Sequence, residues 1–256
     1  MGLFAVALLT PWIAPYSYET QDTARVLESP SIAHLMGTDS LGRDLFSRVL
    51  YGIRLSIVVG LLTSLAAVVI GGIYGGISGY WGGRIDAWLM RIVDVTYALP
   101  DILLVILITV AIGRGFWGIF LALTLVSWVT VARLIRGEVL RLREMSYVES
   151  ARANGAGDGR ILLRHILPNT LGPLIVTLAF RIPAAVLAES TLSFIGLGLA
   201  PPYSSLGVLA NDGWGAIRFY PHLMVFPGIV LFLMILAFQF LGNGLQQAAD
   251  PERGRR

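Results

Sequence analysis

The feature that most limits what this chain can fold into is a series of apolar stretches long enough to cross a bilayer. A helix needs roughly 17 to 25 apolar residues to span the ~30 Å hydrocarbon layer. Residues 57–77, 95–112, 116–132 and 223–241 meet that requirement, and residues 171–199 meet it despite Arg181, Pro183 and Glu189. Residues 2–14 reach only about 20 Å at 1.5 Å per residue. No basic residue precedes that run and Pro11 interrupts it, so it reads as a short first span rather than a cleaved signal. The expectation is an all-α, polytopic membrane helix bundle with about six transmembrane helices.

Composition narrows the chemistry. The chain is 55% hydrophobic and only 14% charged, well below the roughly 25% charged fraction of soluble domains. All 19 basic residues are Arg. Without Lys there is no phosphate-loop lysine and no Schiff base. Without Cys there are no disulfides, no thiolate nucleophile and no cysteine-ligated metal. His34, His165 and His222 lie far apart and in no metal-ligand spacing, so no metal site is expected.

If six segments cross, the loops fall into two sets. Residues 79–96, 133–170 and the tail hold 12 arginines, against 6 in residues 14–54, 113–115 and 200–222. The positive-inside rule then puts both termini and the 133–170 loop in the cytoplasm. The chain divides into residues 1–52 (a short first span, an extracytoplasmic loop and an interfacial helix), a transmembrane domain over residues 53–250, and a cytoplasmic tail at 251–256. The interfacial helix is inferred from Leu41, Leu45, Phe46, Val49, Leu50 and Ile53 at helical spacing, with Arg43, Asp44, Ser47 and Arg48 facing elsewhere. Gly71, Gly72, Gly75, Gly76 and Gly79 form two small-xxx-small registers, suited to close helix packing within one bundle or between subunits.

The 133–170 loop is the most informative segment. Ile135, Val139, Leu142, Met145 and Val148 carry a helical period out of the bilayer, and Asn154-Gly155 supplies a stop. Asp158 is placed to cap a second short helix, residues 159–167, which Pro168 ends or kinks. Such a basic helix-turn-helix resembles a DNA reader, but spans on both sides hold it against the membrane, so nucleic acid is not an expected partner. A bent lever able to transmit a partner's movement fits better.

Glu149-Ser150-Ala151-Arg152-Ala153-Asn154-Gly155, followed after ten residues by Ile166-Leu167-Pro168, resembles the EAA loop of ABC importer permeases, with Ser150 in place of the usual first alanine. Residues 37–44, 79–86, 164–169 and 188–198, with Asp250-Pro251, resemble the second permease of dipeptide and oligopeptide systems. The similarity runs from about residue 12 to 251 and departs at the N-terminus, where relatives have a longer lead. It implies a type I importer fold in the bacterial plasma (inner) membrane. The implied partners are a homologous second permease, two ATP-binding-cassette ATPases and an extracytoplasmic substrate-binding protein. ATP and Mg²⁺ would sit on the ATPases, with no cofactor or catalytic residue in this chain. Peptides are the default substrate, and nickel and glutathione importers share the pattern.

Arg181 and Glu189 are costly at membrane depth, at least ~2.5 kcal/mol each, so they face protein or water. Eight residues apart, they are about 80° apart around a helix and poorly placed to pair; either each snorkels or bonds to a neighbouring carbonyl, or the two line a translocation path. Two other classes fit the sequence less well. A membrane enzyme would need intramembrane His, paired Asp or Ser constellations, and none is evident. A self-sufficient secondary transporter commonly shows internal repeats, which are also not evident.

Overall fold

The computed structural model describes residues 2–249; Asp250, Pro251 and the tail expected at 251–256 lie outside the described residues. Ten α-helices follow one another, with no β-strand among the described residues: α1 (Gly2–Ile13), α2 (Leu45–Trp81), α3 (Gly83–Tyr97), α4 (Asp101–Ile112), α5 (Phe116–Arg143), α6 (Ser146–Ala153), α7 (Asp158–Ile161), α8 (Leu167–Phe194), α9 (Leu206–Trp214) and α10 (His222–Ala249). Four helical stretches are long and apolar enough to cross a membrane, or five if the bent α3–α4 pair counts as one span. The twelve residues of α1 reach about 18 Å.

The centre of the bundle is α2, packed on α5, α8 and α1. Its 37 residues extend about 55 Å, well beyond the hydrocarbon layer. Asp44 caps its start by accepting the Ser47 N–H at 2.7 Å, and Gly82, at φ +62°, ends it. The interfacial helix expected around residues 41–53 does not exist as a separate element; Leu45 onward forms the first turns of α2. The cause lies in its polar face. Arg48 is only 2% exposed because Asp39 of the preceding loop and Asp212 of α9 hold it, and Ser47 is fully buried, its hydroxyl accepting the Tyr16 N–H at 3.1 Å.

The glycine registers pack inside this one bundle. A Cβ on Gly71, Gly75 or Gly79 would collide with the backbone of α5 at Trp128, Ala132 and Arg136 respectively. Gly72 and Gly76 instead look toward Leu174 and Leu167 of the 158–194 rod.

The span expected over residues 95–112 is broken. Residues 95–97 belong to α3, and α3 lies at 86° to α4. Pro100 lacks an N–H and disfavours helix at Leu99, so the chain turns there. α3 is fastened sideways to α5: Arg136 grips Asp86 through two nitrogens, Arg133 reaches Asp94 at 2.6 Å, and Tyr74 of α2 donates to the Leu89 carbonyl at 2.9 Å. α4 alone rises beside α5.

The loop after α5 also departs from expectation in two places. The period carried by Ile135 to Val148 is interrupted at Glu144-Met145, so α5 and α6 are separate helices. Asp158 does not cap; it is the first residue of α7 and accepts the Tyr80 hydroxyl at 2.7 Å, tying the loop to the end of α2. Pro168 neither ends nor breaks the helix that follows. A π turn over Leu162–Ile166, in which the Leu167 N–H reaches the Leu162 carbonyl, joins α7 to α8 in one rod of 37 residues. The wider turn leaves room for a ring that would otherwise press on the preceding turn's carbonyl.

Segments that the alternation of spans puts on one side do meet. At one end Arg43 of the 14–44 loop and Arg48 of α2 both reach Asp212 of α9, and Ser204, just before α9, donates to the Arg48 carbonyl. At the opposite end Arg143 and Asp158 both contact Tyr80.

Candidate functional site

Two places combine exposure with chemistry: the loop between α5 and α8, and a cavity halfway along α8.

The loop is built as a rigid bracket. Gly155 stands at φ +79°, in the left-handed region. Its N–H returns to the Arg152 carbonyl at 3.0 Å and the Ala156 N–H returns to Ala151 at 3.0 Å, the paired bonds of a Schellman ending. Ala151 and Ala156 close the accompanying apolar contact against a core formed by Ile135, Val139, Val148, Ile161 and Ile166. Asn154 adds a side-chain bond to the Ser150 carbonyl at 2.9 Å.

The candidate coupling residues therefore divide. Glu149, Ser150, Arg152, Ala153, Gly155 and Pro168 are exposed on the outside of the bracket, and Ala151 is half-buried. Ile166 is fully buried and Leu167 lies beside Gly76, so these two hold the bracket to the bundle. Tyr147 and Leu163 are exposed apolar side chains on the same loop and were not singled out from sequence. Their signal was available as two large apolar residues off the buried period.

The cavity, about 370 Å³, lies between α4, α5 and α8. Arg181 lines it half-buried and donates through one terminal nitrogen to the Ser127 carbonyl at 2.8 Å. Asp101, at the start of α4, lines the same cavity and is exposed. Glu189 lies elsewhere. It is fully buried, accepting the hydroxyls of Ser193 at 2.7 Å, Ser190 at 3.3 Å and Ser56 of α2 at 3.4 Å. The structure does not bring Arg181 and Glu189 together, and only Arg181 is among the cavity's lining residues.

A third cluster was missed from sequence altogether. At the end of α2 opposite Tyr80, Arg48 is held by Asp39 at 2.5 Å and Asp212 at 3.2 Å, and Arg43 also binds Asp39 at 2.7 Å. Burial alone would raise the Asp39 carboxyl, but the Arg48 charge and the Arg43 and Leu41 N–H groups outweigh it and hold the carboxyl below its ordinary range. Beside it the buried His34 contacts Asp44 through Nδ1 at 2.9 Å. Nothing in the local sequence pattern shows that Asp212, 164 residues from Arg48, closes this cluster.

Comparison with known proteins agrees with this architecture. Residues 67–255 match the model of the "binding-protein-dependent transport system inner membrane component" family. The chain is 44% identical over 254 residues to the dipeptide transport system permease protein DppC of Bacillus subtilis, covering 99% of this chain and 79% of that protein. It is 38% identical to the oligopeptide permease OppC of the same organism (98% and 82% covered), and 41% identical to the glutathione permease GsiD of Pectobacterium atrosepticum (98% and 83% covered). Among solved structures, a chain of the MetNI methionine ABC transporter in an inward-facing conformation superposes with a TM-score of 0.62 at 20% identity, over 79% of this chain and 96% of that one. A chain of an amino acid ABC transporter solved with histidines gives 0.61 at 17% identity, over 79% and 94%. With this coverage and identity, the chain belongs to the inner membrane components of binding-protein-dependent transport systems, the permeases of ABC importers.

Proposed function

We propose that this multi-pass membrane chain forms half of the translocation path of a peptide importer and couples to one ATPase through the bracket between α5 and α8. The carrying observation is the division of that bracket: Glu149, Ser150, Arg152 and Ala153 face outward while Val148, Ile161 and Ile166 are fully buried beneath them. A docked partner that pushes on the exposed face must move α5 and α8 with it.

A second homologous permease, two ATPases holding ATP and Mg²⁺, and a substrate-binding protein complete the working assembly. The arginine asymmetry favours the orientation with the bracket and both termini in the cytoplasm. ATP binding draws the ATPases together, the bracket follows, and the paired permeases exchange outward for inward opening. Peptides are the substrate class favoured by the names of the relatives, since glutathione is itself a peptide.

The test is co-expression with the neighbouring ATPases and purification through a tag on this chain. The ATPases should copurify stoichiometrically, and the reconstituted complex should hydrolyse ATP faster when its binding protein and a peptide are added. Robust hydrolysis by this chain alone, or no association with any ATPase, refutes the assignment. Cysteine at Asn154 should react only from the cytoplasm and at Ser204 only from outside; the reverse pattern inverts the orientation.

A further inference from the structure

We infer that the cavity between α4, α5 and α8 is a dipolar substrate subsite, in which Arg181 receives a peptide's α-carboxylate and Asp101 its α-ammonium group.

Depth comes first. Arg181 is the fifteenth of the 28 residues of α8, about 20 Å from either end, too deep to snorkel to the interface. Asp101 begins α4, whose twelve residues lead to the loop at residues 113–115, so its carboxylate sits about 18 Å below that surface. Measured along their helices from Ile112 and Phe194, both charges lie about 18–20 Å from the ends, a depth well inside a ~30 Å layer, where an ion without a polar partner is costly.

The two charges attract each other across the cavity, but neither meets an opposite charge in direct contact within the described residues. Arg181 uses one terminal nitrogen for the Ser127 carbonyl, which leaves most of its five N–H donors free. The Asp101 carboxylate forms no direct hydrogen bond or salt bridge among the described residues, and although it acts on Arg181 across the cavity that both line, the two are not in contact. The buried carboxylate of Glu189 is the contrast within the same helix, since three serine hydroxyls surround it. A pair of charges retained for stability would be expected to be closed in the same way. Arg181 and Asp101 are instead left open to whatever fills the space.

The rest of the lining fits such an occupant. Beyond Arg181, α8 lines the space with the small residues Ala184, Ala188 and Thr191, one turn apart, alongside apolar Leu187 and Leu192, and Ile102 and Val105 of α4 are apolar. At about 370 Å³ the space fits a short peptide of modest side chains, with a planar guanidinium suited to bidentate carboxylate binding.

This inference rests on the peptide-importer reading, and the experiment separates the two. The complete complex is reconstituted with its binding protein saturated by each of three probes: a tripeptide with free termini, its C-terminal amide and its N-acetyl form. Saturation removes the binding protein's own selectivity from the comparison. The wild type should import the free tripeptide at least tenfold faster than the amide. Arg181→Gln should bring that ratio near one, Arg181→Lys should restore part of it, and Asp101→Asn should abolish discrimination against the N-acetyl form. If the wild type imports no peptide, the peptide reading fails and this inference with it. If it imports peptides and the variants keep the wild-type ratios, only the dipolar subsite is overturned. Should Arg181→Gln fail to assemble, Ala184→Cys in the otherwise cysteine-free chain gives an independent measure. An anionic thiosulfonate should modify it, and the free tripeptide should protect it better than the amide. Equal protection, or no modification, overturns the proposal.

Discussion

Gly75→Ala puts one methyl group into the tightest of the three glycine contacts between α2 and α5. The new Cβ would stand 2.3 Å from the Ala132 carbonyl oxygen and 3.0 Å from the Arg136 nitrogen, both backbone atoms of α5. Neither atom can rotate away, so α5 has to retreat by about 1 Å, and overpacking of this kind costs about 1–3 kcal/mol. Gly71 and Gly79 make similarly close contacts one turn to either side, so a local retreat opens gaps at both. Gly→Ala in a helix returns at most about 1 kcal/mol of propensity, leaving a net loss of about 0–2 kcal/mol. Gly72→Ala, three residues earlier, meets only Leu174 methyl groups at 3.7 and 3.8 Å, an ordinary contact, and should be neutral or slightly stabilising. SDS titration of the purified complex, followed by tryptophan fluorescence, measures the difference. A Gly75→Ala complex at least as resistant as wild type, with Gly72→Ala weakened, would show that the two glycine faces have been assigned to the wrong helices.

Gly155→Val has open space around its Cβ, so its cost is confined to the left-handed backbone, about 1–2 kcal/mol. Membrane abundance should stay near normal while ATPase copurification and substrate-stimulated hydrolysis fall; unchanged stimulation would make the bracket a mere connector. Glu149→Lys reverses an exposed charge on the same face and should weaken ATPase copurification without lowering expression. Glu189→Leu removes the acceptor for three serine hydroxyls, at about 1–3 kcal/mol for each group left unsatisfied, while Glu189→Gln keeps one acceptor oxygen and should be milder in the same SDS titration. The Asp39 carboxyl is depressed in the folded chain, so its contribution is complete above its unfolded value near pH 4 and is lost as pH falls through the lower folded value. Limited trypsin cleavage at Arg25 in the adjoining loop should therefore be faster for Asp39→Asn at pH 7; equal rates would show that Asp212 alone suffices for Arg48.

The spans and the bracket were legible because each carries a local signal: apolar length for α2, α5, α8 and α10, and Asn154-Gly155 for the end of α6. The helix break at Pro100 was visible as a proline, but its 86° turn was not, because the polar anchors of α3 are Arg133 and Arg136, about forty to fifty residues away. The same limit misled the reading of residues 41–53. An amphipathic pattern reports that a polar face exists, not whether water or carboxylates such as Asp39 and Asp212 cover it. The glycine registers announced close packing, yet only coordinates could say that α5 takes one face and the 158–194 rod the other.

The unbroken run from Asp158 to Phe194 also sets a mechanical advantage. If the serine clasp around Glu189 acts as the fulcrum, Arg181 lies about 12 Å from it and Asp158 about 46 Å, at 1.5 Å per residue. Displacement at the bracket is then geared down about fourfold at the arginine. On that gearing, a displacement of about 8 Å at the bracket would shift the guanidinium by about 2 Å, enough to loosen a hydrogen-bonded carboxylate without dismantling the wall behind it.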